Sequence, residues 1–401
     1  MERLILRGAA LIDGTGAGPE EGRAVVVEGG RVAAVVAEAD SPAGIVLPLD
    51  GLTLLPGLIN CHVHLCLGGE PDPLRCLREE PLAMTVVKAS VRAREILEAG
   101  VTTVRDLGGR EYAELAVRDA VRQGLIPGPR ILAAGKGICM TGGHGWWFGR
   151  EADGPDEIRR AVREQLKAGA DVIKLFATGG VMTPGVEPGA PQLTLEEIRA
   201  AIEEARKAGR RVAAHAQARE GIAACVEAGI TSIEHGIFLT GELAEEMARR
   251  GIALVPTLSA PHRIAAEGVR AGIPEFMVRK SEAVMGAHLQ GFQLAREAAV
   301  PIAAGSDAGT PLNPHGSVVT ELELMVKSGM SPLQAIRSAT SVAAQVLGLD
   351  REVGRIAPGF AADLVAVAGS PAAEIRALED VRLVLANGKP VVNRLEGRML
   401  V

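Results

Sequence analysis

The sequence contains few aromatic residues and has no long apolar run. Phe, Trp and Tyr make up 2% of its 401 residues, while 47% are hydrophobic, so a core must be filled by Ala, Val, Leu and Ile. The N-terminal segment MERLILRGAALIDG is too short and too interrupted to be a signal peptide or a membrane span. We therefore expect a cytoplasmic protein that does not act at a membrane.

Charge and cysteine content exclude further classes of protein. The formal net charge of −6 provides no basic field for a nucleic acid. The five cysteines form an odd set without a Cys-x-x-Cys pair, which predicts free thiols in a reducing compartment. A small-molecule substrate is the expected partner, and these features are also compatible with a homo-oligomer.

Five helix-like segments close on a glycine and then enter a β-branched run. The glycines are Gly100, Gly169, Gly209, Gly229 and Gly251. A glycine just past a helix supplies the left-handed cap that turns the chain into a strand. Parallel strands that alternate with helices form an α/β barrel or a doubly wound sheet, and both folds place their chemistry at the carboxyl ends of the strands.

The strand-like runs divide the chain into two predicted domains. Residues 56–354 contain eight such runs, the number that a closed (β/α)8 TIM-type barrel requires. The runs end at His62 or begin at Thr102, Arg130, Asp171, Arg211, Thr231, Ile252 and Pro301. Residues 1–55 and 355–401 alternate short apolar runs with turns, including Asn387-Gly388, and predict a small β-sandwich domain beside the barrel.

One apolar run ends in His62-Val63-His64. Strand side chains alternate between faces, so both imidazoles point the same way and could hold one divalent cation. Taken alone, the pair could equally be two unrelated histidines near a turn. A short His-x-His motif is weak.

Other polar residues recur at the ends of the predicted strands. Lys174 lies five residues past Gly169, and His215 and His235 lie six past their glycines. Asp307 follows the eighth run. Singly, each has a structural explanation: a hydrogen-bonded core histidine, a lysine whose head reaches solvent, or an aspartate in a turn. Their common register predicts one metal site instead.

The order of these motifs resembles the amidohydrolase superfamily over essentially the whole chain, including the Gly-x-Ile-Ala-Pro-Gly-Phe-Ala-Ala-Asp segment that ends at Asp363. The chain is most similar to the Xaa-Pro dipeptidase (prolidase) and imidazolonepropionase-related branch with a binuclear metal centre. The resemblance implies two divalent ions, with zinc expected, and a carbon dioxide-derived carbamate on Lys174 that bridges them. It assigns His62, His64 and Asp307 to the more buried ion and His215 and His235 to the more exposed one. A metal-bridging hydroxide would attack the carbonyl, while Asp307 would transfer the proton.

The predicted substrate contacts lie in connections after the strands. Dipeptidases of this kind carry Thr-Gly-Gly-His-Gly where this chain has His144, which the resemblance implies contacts the substrate carbonyl or carboxylate. Trp146 and Trp147 follow it, and a Gly-rich lid held by aromatic packing is the alternative. Arg263 is a candidate for binding a carboxylate or an ordinary surface arginine. Phe238 replaces a tyrosine that is common in the dipeptidases, which favours an apolar acyl-amino acid or an aryl amide.

Sequence reasoning therefore predicts a hydrolase that cleaves the amide bond of a dipeptide, an N-acyl amino acid or an aryl amide. The alternative is a mononuclear-metal deaminase or a cyclic-amide (imidazolonepropionase-like) hydrolase. Such deaminases place a glutamate three residues after the fifth-strand histidine, where this chain has Ala218, and they would leave Lys174 without a role. A non-catalytic relative is a third reading, although no ligand of the set is missing.

Overall fold

The computed structural model describes residues 3–316 and 318–395, so residues 396–401 of the predicted terminal domain lie outside the described part. Its strands are β1 (Leu4–Arg7), β2 (Ala10–Leu11), β3 (Arg23–Glu28), β4 (Arg31–Ala37), β5 (Ile45–Pro48), β6 (Leu52–Pro56), β7 (Leu58–Val63), β8 (Val101–Asp106), β9 (Arg130–Ala133), β10 (Ile138–Cys139), β11 (Arg150–Glu151), β12 (Val172–Phe176), β13 (Arg211–Ala216), β14 (Ser232–His235), β15 (Ala253–Val255), β16 (Leu364–Ala368), β17 (Val381–Ala386) and β18 (Lys389–Asn393). Its α-helices are α1 (Pro73–Glu79), α2 (Leu82–Glu98), α3 (Ala113–Arg122), α4 (Pro155–Ala168), α5 (Leu195–Lys207), α6 (Arg219–Ala228), α7 (Gly241–Arg250), α8 (Ser259–Glu267), α9 (Glu275–Glu297), α10 (Val318–Lys327), α11 (Pro332–Ser338) and α12 (Ser341–Leu347).

Strands from the two ends of the chain share a sheet. One sheet has the order β4-β3-β1-β5, and the other, β18-β17-β16-β6-β2, pairs β6 with β16 in antiparallel fashion over five residues. Apolar side chains of both sheets, such as Leu47, Leu54 and Leu383, form a core of their own. Asn387 and Gly388 both have positive φ, as the predicted hairpin turn requires. The division of the chain into two domains at residues 55 and 355 stays a prediction.

In the central part of the chain, parallel strands alternate with helices, as in an α/β barrel. One sheet has the order β7-β8-β9 and the other β11-β10-β12-β13-β14-β15. The N–H of Asp171 donates to the carbonyl of Ala133 at 2.8 Å where the two sheets meet. Seven of the eight predicted strands are therefore present as regular strands.

The eighth predicted strand, from Pro301, is reduced to two isolated parallel bridges, Leu254 to Ile302 and Val63 to Ala308. The N–H of Ala304 bonds to the carbonyl of Ser338 instead of a neighbouring strand, and Asp307 takes a left-handed conformation with φ of 56°. Both features interrupt a regular ladder. The segment nevertheless lies between β15 and β7, so it still delivers Asp307 to the same end as the histidines.

The helix-to-strand junctions follow the sequence prediction. All five predicted capping glycines have positive φ, between 66° and 95°. Thr194 and Glu197 form the expected capping box at the start of α5. These junctions set the register of the strands, and the register decides which side chains reach the carboxyl ends. Within the described residues, no helix combines the length and apolar character needed to cross a bilayer.

Candidate metal centre

The six predicted ligands surround one pocket at the carboxyl ends of the strands. All are buried, and all line the same pocket: His62 from β7 and His64 just after it, Lys174 from β12, His215 from β13, His235 from β14, and Asp307. The structure thus brings together residues that are spread over nearly 250 positions of sequence.

Asp307 lies at the centre of this group. Its Oδ1 is 3.3 Å from Nε2 of His62 and 3.3 Å from Nε2 of His64. The ring centroids of His215 and His235 are 4.5 Å apart, and those of His62 and His235 are 5.3 Å apart. The pocket therefore gathers nitrogen and oxygen donors around one small volume.

One nitrogen of every predicted histidine ligand is held by an oxygen atom outside the group. Nδ1 of His62 lies 2.9 Å from Oε2 of Glu234, and Nδ1 of His64 lies 2.9 Å from the carbonyl oxygen of Gly108. Nε2 of His215 lies 2.9 Å from the carbonyl oxygen of Gly179, and Nδ1 of His235 lies 2.7 Å from Oγ1 of Thr257. Such outer contacts fix the ring and the tautomer of a metal-binding histidine and leave the second nitrogen with its lone pair. The four rings are therefore arranged as metal ligands are.

The charge states of most of these groups suit the same chemistry, and His64 is the exception. Burial opposes the charged form of His64, but the carboxylate of Asp307 outweighs it and raises the pKa of this ring. A bound cation would replace that proton. Burial lowers the pKa of His62 to about 4 and holds the pKa of His215 and His235 well below the usual value, so these rings are neutral. Burial also lowers the pKa of Lys174 to about 8, which favours the neutral amine that can add carbon dioxide. Burial opposes ionisation of Asp307, but His62 and His64 outweigh it and hold the pKa of that carboxyl below its usual range.

A carboxylate oxygen of Asp307 that lacks a hydrogen-bond partner among the described residues also fits a site for a divalent cation. Oδ1 of Asp307 is buried and in hydrogen-bond geometry to no atom of the described residues, although two imidazole nitrogens lie 3.3 Å away. Ligand atoms of His62, His235 and Asp307 all lie within 4.8 Å of one another. A bound cation would supply the partner that this carboxylate oxygen lacks.

Sequence reasoning missed the residues that hold the ligands in place. Glu234 binds His62 and also accepts from Nη2 of Arg105 at 2.8 Å, and both side chains are almost fully buried. Burial raises the pKa of Glu234, but Arg105 and His62 outweigh it and lower the value to about 2. A charged residue inside each of the apolar runs TTVRDL and TSIEHG was the available signal.

His144 is the predicted substrate contact that the structure brings closest to the ligands. Its ring centroid is 4.5 Å from that of His215, and its Nδ1 meets Oγ1 of Thr183 at 2.9 Å. Burial lowers its pKa to about 3, so the ring is neutral. Trp147 lines the pocket beside it.

Three other predicted substrate contacts do not line this pocket. Trp146 is 38% exposed and lies next to the guanidinium of Arg78. Phe238 borders a neighbouring groove, and Arg263 donates to Oγ1 of Thr320 at 3.0 Å. A connection after a strand turns in directions that strand alternation does not predict, so these positions differ from expectation. A role for them in substrate binding stays a prediction.

The wall opposite the ligands is apolar. Its side chains come from connections after several strands and from α8: Trp147, Phe148, Val181, Met182 and Ile237 from the connections, and Pro261 and Ile264 from the helix. Among the described residues that line the pocket, no arginine is present, and Lys174 is the one lysine. The pocket therefore offers apolar contact area and little positive charge beyond its metal-type ligands.

Parallel strands that alternate with helices, with a pocket of buried imidazoles and a carboxylate at the strand ends, are typical of α/β-barrel enzymes. A family model described as Amidohydrolase family matches residues 53–391, so the chain belongs to the amidohydrolase family. The sequence-based prediction of an amidohydrolase, a hydrolase that acts on carbon–nitrogen bonds, is confirmed, as is the TIM-barrel type of fold that the family implies.

Individual relatives cover nearly the whole chain. Ochratoxinase of Aspergillus niger is 32% identical over 417 residues, which cover 95% of this chain and 84% of the relative. Imidazolonepropionase of Klebsiella pneumoniae subsp. pneumoniae is 26% identical over 376 residues, covering 86% and 85%. A solved structure of a Xaa-Pro dipeptidase with bound methionine in its active site has a TM-score of 0.88 and 32% identity, and covers 98% of this chain and 100% of that chain.

Proposed function

We propose that this protein is a divalent metal-dependent hydrolase that cleaves the amide bond of an N-acyl amino acid, a dipeptide or an aryl amide with an apolar acyl side. One observation carries the proposal: four buried imidazoles, each held through one nitrogen, share a pocket with Lys174 and with an Asp307 oxygen that has no hydrogen-bond partner.

The donor set would suit two divalent cations. His62, His64 and Asp307 would hold the more buried one, His215 and His235 would hold the more exposed one, and Lys174, as a carbamate, would add oxygen ligands. Zinc suits these nitrogen and oxygen donors. When bound, the cations would lower the pKa of water toward ~7 and polarise the scissile carbonyl.

The side chains supply proton transfer and orientation. Asp307, ionised in the resting site, accepts the proton of the attacking water on its carboxylate and passes it to the leaving amine nitrogen. Oγ1 of Thr183 accepts a hydrogen bond from the N–H of Gly145 at 3.2 Å. The hydroxyl of Thr183 can therefore donate its own hydrogen to Nδ1 of His144. Nε2 of His144 then carries the hydrogen that donates to a substrate oxygen.

The apolar wall supports an apolar acyl group on the substrate. Among the described residues that line the pocket there is no arginine, so the free carboxylate of an N-acyl amino acid or a dipeptide would accept from Nε2 of His144 and not from a guanidinium. The similarity to an ochratoxinase and to a Xaa-Pro dipeptidase also supports hydrolysis of an amide bond.

The alternative, a mononuclear deaminase or cyclic-amide hydrolase, has one observation in its favour. His62, His235 and Asp307 could by themselves hold a single ion, and imidazolonepropionase is among the relatives. Against it, position 218 is an alanine without a carboxylate, and the buried amine of Lys174 would have no function.

Metal-reconstituted activity separates the two. The protein is loaded with zinc in bicarbonate and assayed on N-acyl amino acids, dipeptides, aryl amides and cyclic amides, with Asp307→Asn as the inactive blank. We expect about two zinc ions per chain and turnover of linear amides. One ion per chain with ammonia release or ring opening as the main reaction would establish the alternative.

A further inference from the structure

A buried lysine outside the pocket lining holds one of the loops that form the site. Lys280 lies in α9 and is 2% exposed. Its Nζ donates to the main-chain carbonyls of Val186 at 2.6 Å, Thr183 at 2.8 Å and Gly180 at 3.4 Å. An ammonium has three N–H donors, and here all three find acceptors in the loop of residues 178–193.

The same loop is fixed at its base by a different contact. Thr178 and Pro191 form an isolated antiparallel bridge, and the N–H of Gly179 donates to the carbonyl of Ala190 at 2.8 Å. These contacts close the base of the loop but do not reach its far end. Lys280 supplies the hydrogen bonds there.

This loop contacts two residues of the site. The carbonyl of Gly179 accepts from Nε2 of His215, a predicted metal ligand. Oγ1 of Thr183 holds Nδ1 of His144, and a Cβ added at Gly180 would lie 2.4 Å from Nε2 of that ring. A shift of the loop by a fraction of an ångström would therefore move both imidazoles.

We propose that Lys280 is a positioning residue: it fixes the loop of residues 178–193 and, through Gly179 and Thr183, sets the orientation of His215 and His144. A buried cation that satisfies several carbonyls of one loop holds it in a single geometry, because the buried carbonyls of Gly180 and Thr183 would otherwise lose this donor. An apolar cluster also joins the same loop to α8 and α9; its members are Val181, Ile264, Ile273, Met277 and Val278. These hydrophobic contacts are not directional, so they do not by themselves fix the orientation of the loop.

The first test is hydrogen exchange of the loop, which does not depend on the proposed function. Lys280→Met keeps the stem and removes the donors. We expect the amides of residues 178–193 to exchange on the order of tenfold faster, with the rest of the barrel unchanged. Arg279→Met is the matched control. Arg279 precedes Lys280 in α9, and its exposed guanidinium pairs with Glu187 in the same loop, so this variant removes an exposed contact to the loop and keeps the buried one. Equal exchange in wild type and Lys280→Met would overturn the proposal.

The second test follows the effect to the site and rests on the proposed function. Zinc affinity, measured by competition with a chelator, should fall on the order of tenfold in Lys280→Met, because an outer contact of His215 is loosened. On an amide substrate, the losses of kcat/KM in Lys280→Met and Thr183→Val should not add, since both act through His144. Additive losses with unchanged zinc affinity would contradict a positioning role. Inactivity of all proteins, wild type included, would count against the proposed function alone.

A conservative replacement separates positioning from general destabilisation. Lys280→Arg keeps the charge and several donors and should recover part of the exchange protection and of the zinc affinity. If Lys280→Met does not fold, Lys280→Gln, which keeps two N–H donors on a shorter side chain, takes its place in both tests. The shorter side chain cannot reach all three carbonyls, so protection and zinc affinity in the Gln variant should lie below the wild-type values. Wild-type values of both in the folded Gln variant would also overturn the proposal.

Discussion

The carboxylate of Glu234 binds Nδ1 of His62 at 2.9 Å, and its second oxygen accepts from Arg105 at 2.8 Å. Glu234 and His62 are separated by 172 positions in the sequence. This contact fixes the tautomer of His62 and leaves its Nε2 facing Asp307.

Replacing Glu234 should weaken both the metal site and the fold. In Glu234→Gln, His62 loses a charged partner and Arg105 remains buried without a carboxylate. We expect metal affinity to fall about 10- to 100-fold and the free energy of unfolding to fall by about 3–5 kcal/mol. Chelator competition and urea unfolding measure the two effects. Glu227→Gln, which breaks an exposed pair with Arg199, is the control and should cost less than about 1 kcal/mol.

Asp307→Asn should abolish most activity without unfolding the protein. The amide cannot take up the proton of the attacking water, and loss of general acid–base catalysis costs about 10²- to 10⁴-fold in kcat. Steady-state kinetics and a thermal melt check this expectation. Asp156→Asn, at a fully exposed carboxylate in α4, should leave both unchanged. An Asp307→Asn enzyme within a few fold of wild type would remove Asp307 from the mechanism.

Lys174→Met should separate activity from stability. The substitution removes a buried amine, so the metal-free protein should be as stable as wild type or more stable, because burying an amine is unfavourable. Activity should fall at least about 100-fold, and wild-type activity should depend on added bicarbonate during metal loading. Lys167→Met, at an exposed lysine of α4, is the control. Bicarbonate-independent activity in Lys174→Met would contradict the carbamate.

Glu321 gives a pH dependence of stability with a defined sign. It is fully buried and accepts from the N–H groups of Leu258 and Ser259, and burial raises its pKa from 4.5 to about 7. The folded state therefore binds the proton more tightly than the unfolded state. Its contribution to stability is fully present below about pH 4.5 and is lost as the pH rises through about 7.

The comparison with Glu321→Gln tests this sign. The difference in unfolding free energy, wild type minus variant, should decrease by up to roughly 3 kcal/mol between pH 4.5 and 7.5. Urea unfolding of metal-free protein at several pH values measures it, since all other titrating groups are shared. A difference that stays flat, or that increases with pH, would refute the assignment.

The apolar wall should make activity sensitive to the length of the acyl chain. Each methylene buried against it contributes about 0.8 kcal/mol, so kcat/KM should rise about fourfold per methylene along a series of N-acyl amino acids. Ile264→Ser, in the wall, should flatten this series. Val269→Ser, at an exposed residue just after α8, should not. A series that is flat in the wild type would place the acyl group elsewhere.

The sequence by itself determined seven of the parallel strands and where the six predicted ligands lie relative to them. Glycine caps and strand alternation are local properties of the chain, so Gly169 before Lys174 and Gly209 before His215 could be interpreted without knowledge of distant contacts. The same reasoning expected a regular eighth strand, which the contact of Ala304 with Ser338 and the left-handed backbone at Asp307 interrupt.

Only the tertiary structure decided which residues hold those ligands and which form the wall. Glu234 meets His62, Thr257 meets His235, and Lys280 meets the loop of residues 178–193 across long separations in sequence. Trp146 and Phe238 lie on irregular connections and Arg263 lies in α8, and none of the three lines the pocket that their positions in the sequence suggested. The physical reason is common to both: such contacts depend on how separate elements pack together, which no local pattern encodes.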